Sequence, residues 1–174
     1  MKLAYIGIGS NMGDRLMNLR GGVAELKKLG KISRVSSVYE TEPWGRDEMA
    51  WFLNAVVLIE TEMSPNELLL ALKSAESGFR REPERWGPRE LDMDILLYQD
   101  AHIDEDYLSI PHPRMGERSF VLVPLEELFA AGAPTLGYEI KNPRPDGKRM
   151  RIFAGPEALC ADRAEDSGCP KEAK

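Results

Sequence analysis

Residues 51–60, Trp-Phe-Leu-Asn-Ala-Val-Val-Leu-Ile-Glu, constrain the fold more than any other stretch of this chain. Side chains alternate across a strand with period two, so Leu53, Ala55, Val57 and Ile59 share one face, apolar enough to lie under helices. Phe52 and Asn54 share the other. The rest of the chain supplies partners for such a strand. Residues 3–8 are a short apolar run ending in Gly9-Ser10-Asn11, which reads as a strand and then a turn. Leu16, Leu19, Val23 and Leu26 keep helical spacing, with Asp14 as N-cap and Gly30 at the far end. Val35, Ser37 and Tyr39 alternate with Arg34, Ser36 and Glu40 as in a half-buried strand, and a Pro/Gly loop occupies 41–49. Ser64-Pro65-Asn66-Glu67 has the form of a capping box with proline at the first helical position, and Leu68, Leu72 and Ala75 continue as an inward stripe. Residues 79–90 carry four arginines, two prolines and a glycine without periodicity, a long loop, before a strand resumes over 91–98.

The order β-α-β-β-α-β is that of an α+β, ferredoxin-like sandwich, with one sheet face under two helices and the other open to ligands. A further helix is expected over 119–131, with Pro124 near its first turns and Leu122, Leu125 and Phe129 inward. From Gly132 onward, 10 of 43 residues are Gly or Pro, so the tail is expected to be partly irregular. A length of 174 residues suits a single domain. The net charge of −6 and pI near 5.1 argue against an overall electrostatic grip on nucleic acid or an anionic membrane. No apolar run exceeds five residues, so neither a membrane span nor an export signal is expected, and the reading is a cytoplasmic monomer. Cys160 and Cys169 read as incidental thiols rather than a disulfide framework.

Chemistry concentrates in Arg85-Trp86-Gly87-Pro88-Arg89-Glu90-Leu91-Asp92-Met93-Asp94-Ile95-Leu96-Leu97. Leu91, Met93, Ile95 and Leu97 are expected to face the core, while Asp92 and Asp94 leave the opposite face, ~7 Å apart by strand rise. Two anions placed side by side repel unless a cation lies between them; hard divalent ions fit, and two metals ~3.5–4 Å apart serve phosphoryl transfer. For Asp-x-Asp alone, a solvated pair is the simpler reading. The surroundings alter that balance. Between Gly78 and Arg118 stand six arginines, Arg80, Arg81, Arg85, Arg89, Arg114 and Arg118, and no lysine. Guanidinium groups hold phosphate oxygens in pairs, so the arginines beside the carboxylates point to a polyphosphate, with surface ion pairing to nearby glutamates as the plainer alternative. Phe52 and Asn54 together suit a planar, polar ring. His112 either touches phosphate or orders its loop. Gly7-x-Gly9-x-x-x-Gly13 lacks the ending of a P-loop and reads as a strand-to-helix turn.

These residues resemble the 6-hydroxymethyl-7,8-dihydropterin pyrophosphokinase family over about residues 3–131. The resemblance rests on Gly9-Ser10-Asn11-x-Gly13-Asp14, Tyr39-Glu40-Thr41-x-Pro43-x-Gly45, Phe52-Leu53-Asn54-Ala55, Arg85-Trp86-Gly87-Pro88-Arg89 with Asp92-x-Asp94, Pro111-His112-Pro113 and Arg118-x-Phe120. It implies transfer of pyrophosphate from ATP to the pterin hydroxymethyl oxygen, releasing AMP, on a ferredoxin-like fold with two Mg2+ ions and ATP as co-substrate. By position, Asp92 and Asp94 would ligate both ions, with Arg89 beside them in the catalytic group. Arg81, Arg85, Trp86, Arg89, Ile95, His112 and Arg118 would bind ATP, and Thr41, Pro43, Trp44, Phe52, Asn54 and Phe120 the pterin. Residues 1–131 would form the pyrophosphokinase domain and 132–174 an extension to which the resemblance gives no role. Gly78-Phe79-Arg80-Arg81 departs from the family's Gly-Arg-x-Arg, and Glu76 lies only two residues before Gly78, so neither Arg80 nor Glu76 is assigned. An RNA-binding module shares the element order, but the charge and the lack of a Lys/Arg-Gly-Phe strand signature argue against it.

Overall fold

The computed structural model describes residues 1–43, 50–79 and 89–160. Along these run β1 (Lys2–Ser10), α1 (Arg15–Leu29), β2 (Lys31–Val35), β3 (Val38–Thr41), β4 (Phe52–Thr61), α2 (Pro65–Glu76) and β5 (Asp92–Tyr98). They continue with β6 (Ile103–Glu105), β7 (Leu108–Ile110), a 3-10 turn at Met115–Glu117, α3 (Ser119–Ala130), β8 (Met150–Ala154) and α4 (Glu157–Cys160). The result is a mixed α/β fold around one antiparallel sheet. Its strands lie in the order β5-β1-β4-β3-β8, with β2 also paired to β4, and β6 and β7 form a separate two-stranded ribbon. None of the described helices is long and apolar enough to cross a membrane.

The helix boundaries follow from local chemistry. Asp14 accepts from the Met17 amide at the start of α1, and Ser64 with Glu67 completes the reciprocal capping box of α2, with proline in the first turn. Gly30 closes α1 with an extended backbone, φ 174°, that any residue could adopt. Glycine is required there for space, since an added Cβ would stand 2.4 Å from the Glu60 carbonyl oxygen on β4. Gly30→Ala should therefore force the α1–β2 corner off the sheet and cost about 2–3 kcal/mol, roughly a 5–10 °C fall in Tm. An unchanged Tm in thermal unfolding would remove this account of the corner.

The larger core lies between the sheet and α1 with α2, where Leu19, Val23, Leu26, Leu68 and Leu72 meet Ala4, Ile6, Ile8, Leu53, Ala55, Val57 and Ile59. The second sheet face is not simply open, as the element order led us to expect. α3 covers half of it, burying Tyr5, Val56, Leu58, Leu96 and Leu97 under Val121, Leu125 and Leu128, with Tyr5 meeting Phe129 edge-on at 5.6 Å. Apolar Val56 and Leu58 follow Phe52 and Asn54 on that face and need such a cover.

Four further expectations are corrected. The strand expected through residues 34–40 is broken into β2 and β3 at Ser36 and Ser37. Ser36 Oγ accepts from the Val56 amide at 2.9 Å, while the Ser37 amide and hydroxyl donate to Glu127 of α3. Gly7 and Gly9 lie inside β1, and the turn belongs to Gly13, whose φ is +63°. Leu97 does not share the face of Leu91, Met93 and Ile95, because an irregularity in the β1–β5 register between Tyr5 and Ile6 turns it beneath α3. In the tail, β8 extends the sheet beside β3, and Leu159 of α4 is buried against α1. At the end of α4, Cys160 is disulfide-bonded and not a free thiol; Cys169 lies outside the described residues.

Candidate active site

The register of three strands builds the floor of one cavity. Gly9 of β1 stands opposite Asn54 of β4 on one side and Asp92 of β5 on the other; two residues along, Gly7 stands between Val56 and Asp94. Because the middle strand carries no side chains in either row, a trough runs between an amide wall and a carboxylate wall, roughly 9–10 Å apart by two strand spacings. The α3 side adds Arg118, Phe120 and Val121, and α2 adds Lys73. The cavity has a volume of about 280 Å³, and Thr41, Glu42, Phe52, Arg89 and His112 also line it.

On the amide side, Asn54 Nδ2 donates to Thr41 Oγ1 at 2.7 Å, and Thr41 pairs with Phe52 across the β3–β4 ladder. The Asn54 carboxamide is thereby fixed and buried, with its polar edge at the cavity. Arg118 lies over the Phe120 ring at 5.6 Å.

The other wall is charged. Arg89 Nη1 donates to Asp92 Oδ1 at 2.8 Å, and Asn11 pins the Arg89 backbone by accepting its amide at 2.9 Å. Arg89 Nε and Asn11 Nδ2 are the buried side-chain polar atoms without a hydrogen-bond partner among the described residues. Burial pushes the Asp94 carboxyl above its ordinary range and the charge of Asp92 pushes the same way, against His112, Lys73 and Arg118. His112 is made less basic, chiefly by burial and also by Arg118. Burial also lowers Arg118, with Arg114 acting in the same sense.

Glu76 at the end of α2 accepts the Met93 amide at 2.6 Å and pairs with Lys73 at 3.0 Å. It thus ties the Asp-Met-Asp segment to the helix and holds Lys73 at the cavity. Burial raises its carboxyl, and Asp92 adds to this, against Lys73 and the Met93 amide.

The structure therefore brings together Thr41, Phe52, Asn54, Arg89, Asp92, Asp94, His112, Arg118 and Phe120 in one cavity. Pro43 is buried next to it in sequence and is not part of its lining. Ile95 is set apart: the alternation that turns Asp92 and Asp94 to the cavity sends Ile95 into the helix-side core. Trp44, Arg81, Arg85 and Trp86, with Arg80, lie outside the described residues. Lys73, Glu42, Gly7 and Gly9 line the cavity without having been singled out for it in the sequence, as a lysine on an amphipathic helix ordinarily marks the solvent face.

Among the described residues, no cluster of three or more His, Cys, Asp or Glu side chains is arranged to hold a metal alone. The donor set is instead two carboxylates beside an orphaned guanidinium donor. It fits hard cations whose remaining ligands are phosphate oxygens and water, the usual mode for Mg2+.

The sequence model described as 7,8-dihydro-6-hydroxymethylpterin-pyrophosphokinase (HPPK) matches residues 5–130. A 2-amino-4-hydroxy-6-hydroxymethyldihydropteridine pyrophosphokinase of Methylorubrum extorquens is 45% identical over 153 residues, covering 84% of this chain and 97% of that protein. One of Bacillus subtilis is 47% identical over 129 residues, covering 72% and 77%. Among solved structures, wild-type Plasmodium falciparum HPPK-DHPS is similar with a TM-score of 0.56 at 15% identity. This chain spans 41% of that one, and that likeness concerns the fold alone. An amide, two aromatic rings, paired carboxylates and basic groups thus share one cavity, an arrangement compatible with the kinases that act on small molecules. The chain belongs to the 7,8-dihydro-6-hydroxymethylpterin pyrophosphokinase family.

Proposed function

We propose that the trough holds 6-hydroxymethyl-7,8-dihydropterin on the amide wall and the triphosphate of ATP on the carboxylate wall. As family membership implies, the protein transfers pyrophosphate from ATP to the pterin in folate biosynthesis. The observation that carries the two-ligand arrangement is the row Asn54–Gly9–Asp92: a ring-recognising amide and a polyphosphate-side carboxylate, with nothing but backbone between them. A ferredoxin-like arrangement is the finer reading of the β5-β1-β4-β3 order.

In this reading the pterin edge meets Asn54 and Thr41, with Phe52 and Phe120 on its ring faces and Pro43 and Trp44 in the adjoining chain. Arg89, His112 and Arg118 hold phosphate oxygens, joined by Lys73 and, from outside the described residues, Arg81, Arg85 and Trp86. Asp92 and Asp94 would hold two Mg2+ ions, which supply charge neutralisation of the triphosphate when bound. The hydroxymethyl oxygen forms a bond to the β-phosphorus, the bond from that phosphorus to the α–β bridging oxygen breaks, AMP departs and the hydroxyl proton is released. Catalysis rests on in-line positioning and on preorganised positive groups in a site from which water is largely removed. A cytoplasmic monomer is part of the same reading.

Product analysis tests it. Incubation with MgATP and hydroxymethyldihydropterin should give AMP and the pterin diphosphate in equal amounts, and EDTA should stop turnover. ADP as the nucleotide product would overturn the proposal. Phe52→Ala should raise the Kd of pterin about tenfold while that of an ATP analogue moves less than twofold, since a stacking ring contributes ~1 kcal/mol or more. Calorimetry showing the reverse would reassign Phe52 to the nucleotide.

A further inference from the structure

β8 lies beyond residue 130, where the family match ends, yet it pairs with β3 at the cavity wall, Thr41 opposite Met150 and Glu40 opposite Arg151. Thr41 is held on its other side by Phe52 of β4, so the residue that fixes Asn54 sits between a family strand and one supplied by the extension. Side chains repeat the grip on either side of it. The Glu42 amide donates to the Arg149 carbonyl at 3.0 Å, the Arg149 amide donates to Glu42 Oε2 at 3.2 Å, and Arg149 Nη2 donates to Glu42 Oε1 at 3.1 Å. Glu42 itself lines the cavity.

Glu40 is buried and shared by two arginines. Arg151 Nε donates to its Oε2 at 2.8 Å, and Arg15 Nη2 donates to its Oε1 at 3.0 Å. Burial alone would raise the Glu40 carboxyl, and the hydrogen bonds from Arg151 and Arg15 outweigh it and hold it low. Arg15 also donates to the Trp51 carbonyl at 2.6 Å, and the Arg149 guanidinium lies over the Trp51 ring at 5.3 Å. Residues 40–42 and residue 51, which precede and follow the loop between β3 and β4, are thus held by the same group of arginines. A solvent-exposed ion pair on its own contributes little, but here ion pairs and ladder bonds converge on the three-residue segment 40–42, and a ring contact ties in Trp51.

We infer that Arg151 of β8 and Arg149, which immediately precedes that strand, are positioning residues for the ring-binding wall. They hold Thr41 and Glu42 against β4, so that the extension beyond the family core sets the affinity for the planar acceptor and not for the nucleotide. This rests on the ring-binding assignment proposed above. Neither arginine lines the cavity; each acts through Glu40 or Glu42 on Thr41 and, through it, on Asn54.

Two readouts on full-length protein test it. In hydrogen exchange, Arg149→Ala and the Arg149→Ala/Arg151→Ala pair should exchange the amides of Thr41 and Glu42 about tenfold faster, with those of β1 unchanged. In steady-state kinetics the same variants should raise KM for hydroxymethyldihydropterin about fivefold to twentyfold, leaving KM for ATP and kcat within about twofold, and Arg149→Lys should recover much of the loss. Should the double variant fail to fold, Arg149→Ala decides alone, since its guanidinium is largely exposed. Unchanged exchange at Thr41 and Glu42 would overturn the inference, as would equal rises in both KM values. A wild-type protein that makes no AMP from these substrates would instead defeat the proposed function, and the exchange arm would still decide whether β8 holds the wall.

Discussion

Asp94→Asn is expected to lose about 10³-fold in kcat while the unliganded protein melts at the same temperature or higher. Both halves follow from one arrangement. Burial and the neighbouring Asp92 push the Asp94 carboxyl up, so its ionised form is held at a cost that His112, Lys73 and Arg118 only partly offset. An amide of the same shape relieves the repulsion, and the core does not suffer, since Asp94 faces the cavity and the strand's core contacts come from Met93 and Ile95. What disappears is the paired negative charge that would hold Mg2+ against the triphosphate. Thermal unfolding with and without MgATP separates the two effects. The wild type should gain about 2.7 kcal/mol at a hundredfold excess of ligand over Kd, and the variant should lose most of that gain. Near-normal turnover, or a lower melting temperature in the absence of ligand, would sink the assignment of Asp94.

The parts of this site that were legible in the sequence are those set by period-two alternation. Phe52 and Asn54 were separated from Leu53 and Ala55, and Asp92 and Asp94 from Met93 and Ile95, without any knowledge of the neighbouring strands. Arginine density drew attention to the carboxylate side for another reason, the affinity of guanidinium groups for anions, and of the six arginines Arg89 and Arg118 line the cavity among the described residues. Features set by partners distant in sequence were hidden. The break between β2 and β3 depends on Glu127, 90 residues from Ser37. Leu97 changes face because of an irregularity against β1 that its own segment does not encode. Lys73 reads as a solvent-face residue on its helix, and it reaches the cavity because Glu76 is tied to the Met93 amide. β8 was hidden for a third reason. Met-Arg-Ile-Phe-Ala is short, follows a Gly/Pro-rich stretch and leaves Ile152 and Phe153 exposed, so neither alternation nor burial marks it as a strand. Its place is fixed by the acidic residues Glu40 and Glu42, which receive Arg151 and the adjoining Arg149.

Gly9→Ala is expected to raise KM for the pterin about 10- to 100-fold, leaving KM for ATP within about threefold and stability within about 2 kcal/mol. Gly9 is an ordinary strand residue by conformation, so the effect is one of space. A Cβ there would stand 2.7 Å from Asn54 Oδ1, several tenths of an ångström inside ordinary contact. The Asn54 side chain is short, buried and tied through Nδ2 to Thr41, so it cannot yield without giving up that bond or turning its edge away from the ring. At Gly7 the corresponding Cβ would meet only Leu96 side-chain atoms at 3.4 Å, which can shift. The damage at Gly9 should therefore pass through Asn54, and a double-mutant cycle tests that route. Once Asn54→Ala has removed the carboxamide, adding Gly9→Ala should cost little more, a coupling of at least ~1 kcal/mol in pterin kcat/KM, against the 0.3–0.5 kcal/mol scatter of about-additive, independent sites. Additive losses would mean that the methyl group obstructs the trough directly. The side-chain-free floor of β1 would then serve to admit the ligand and not to set the amide that recognises it.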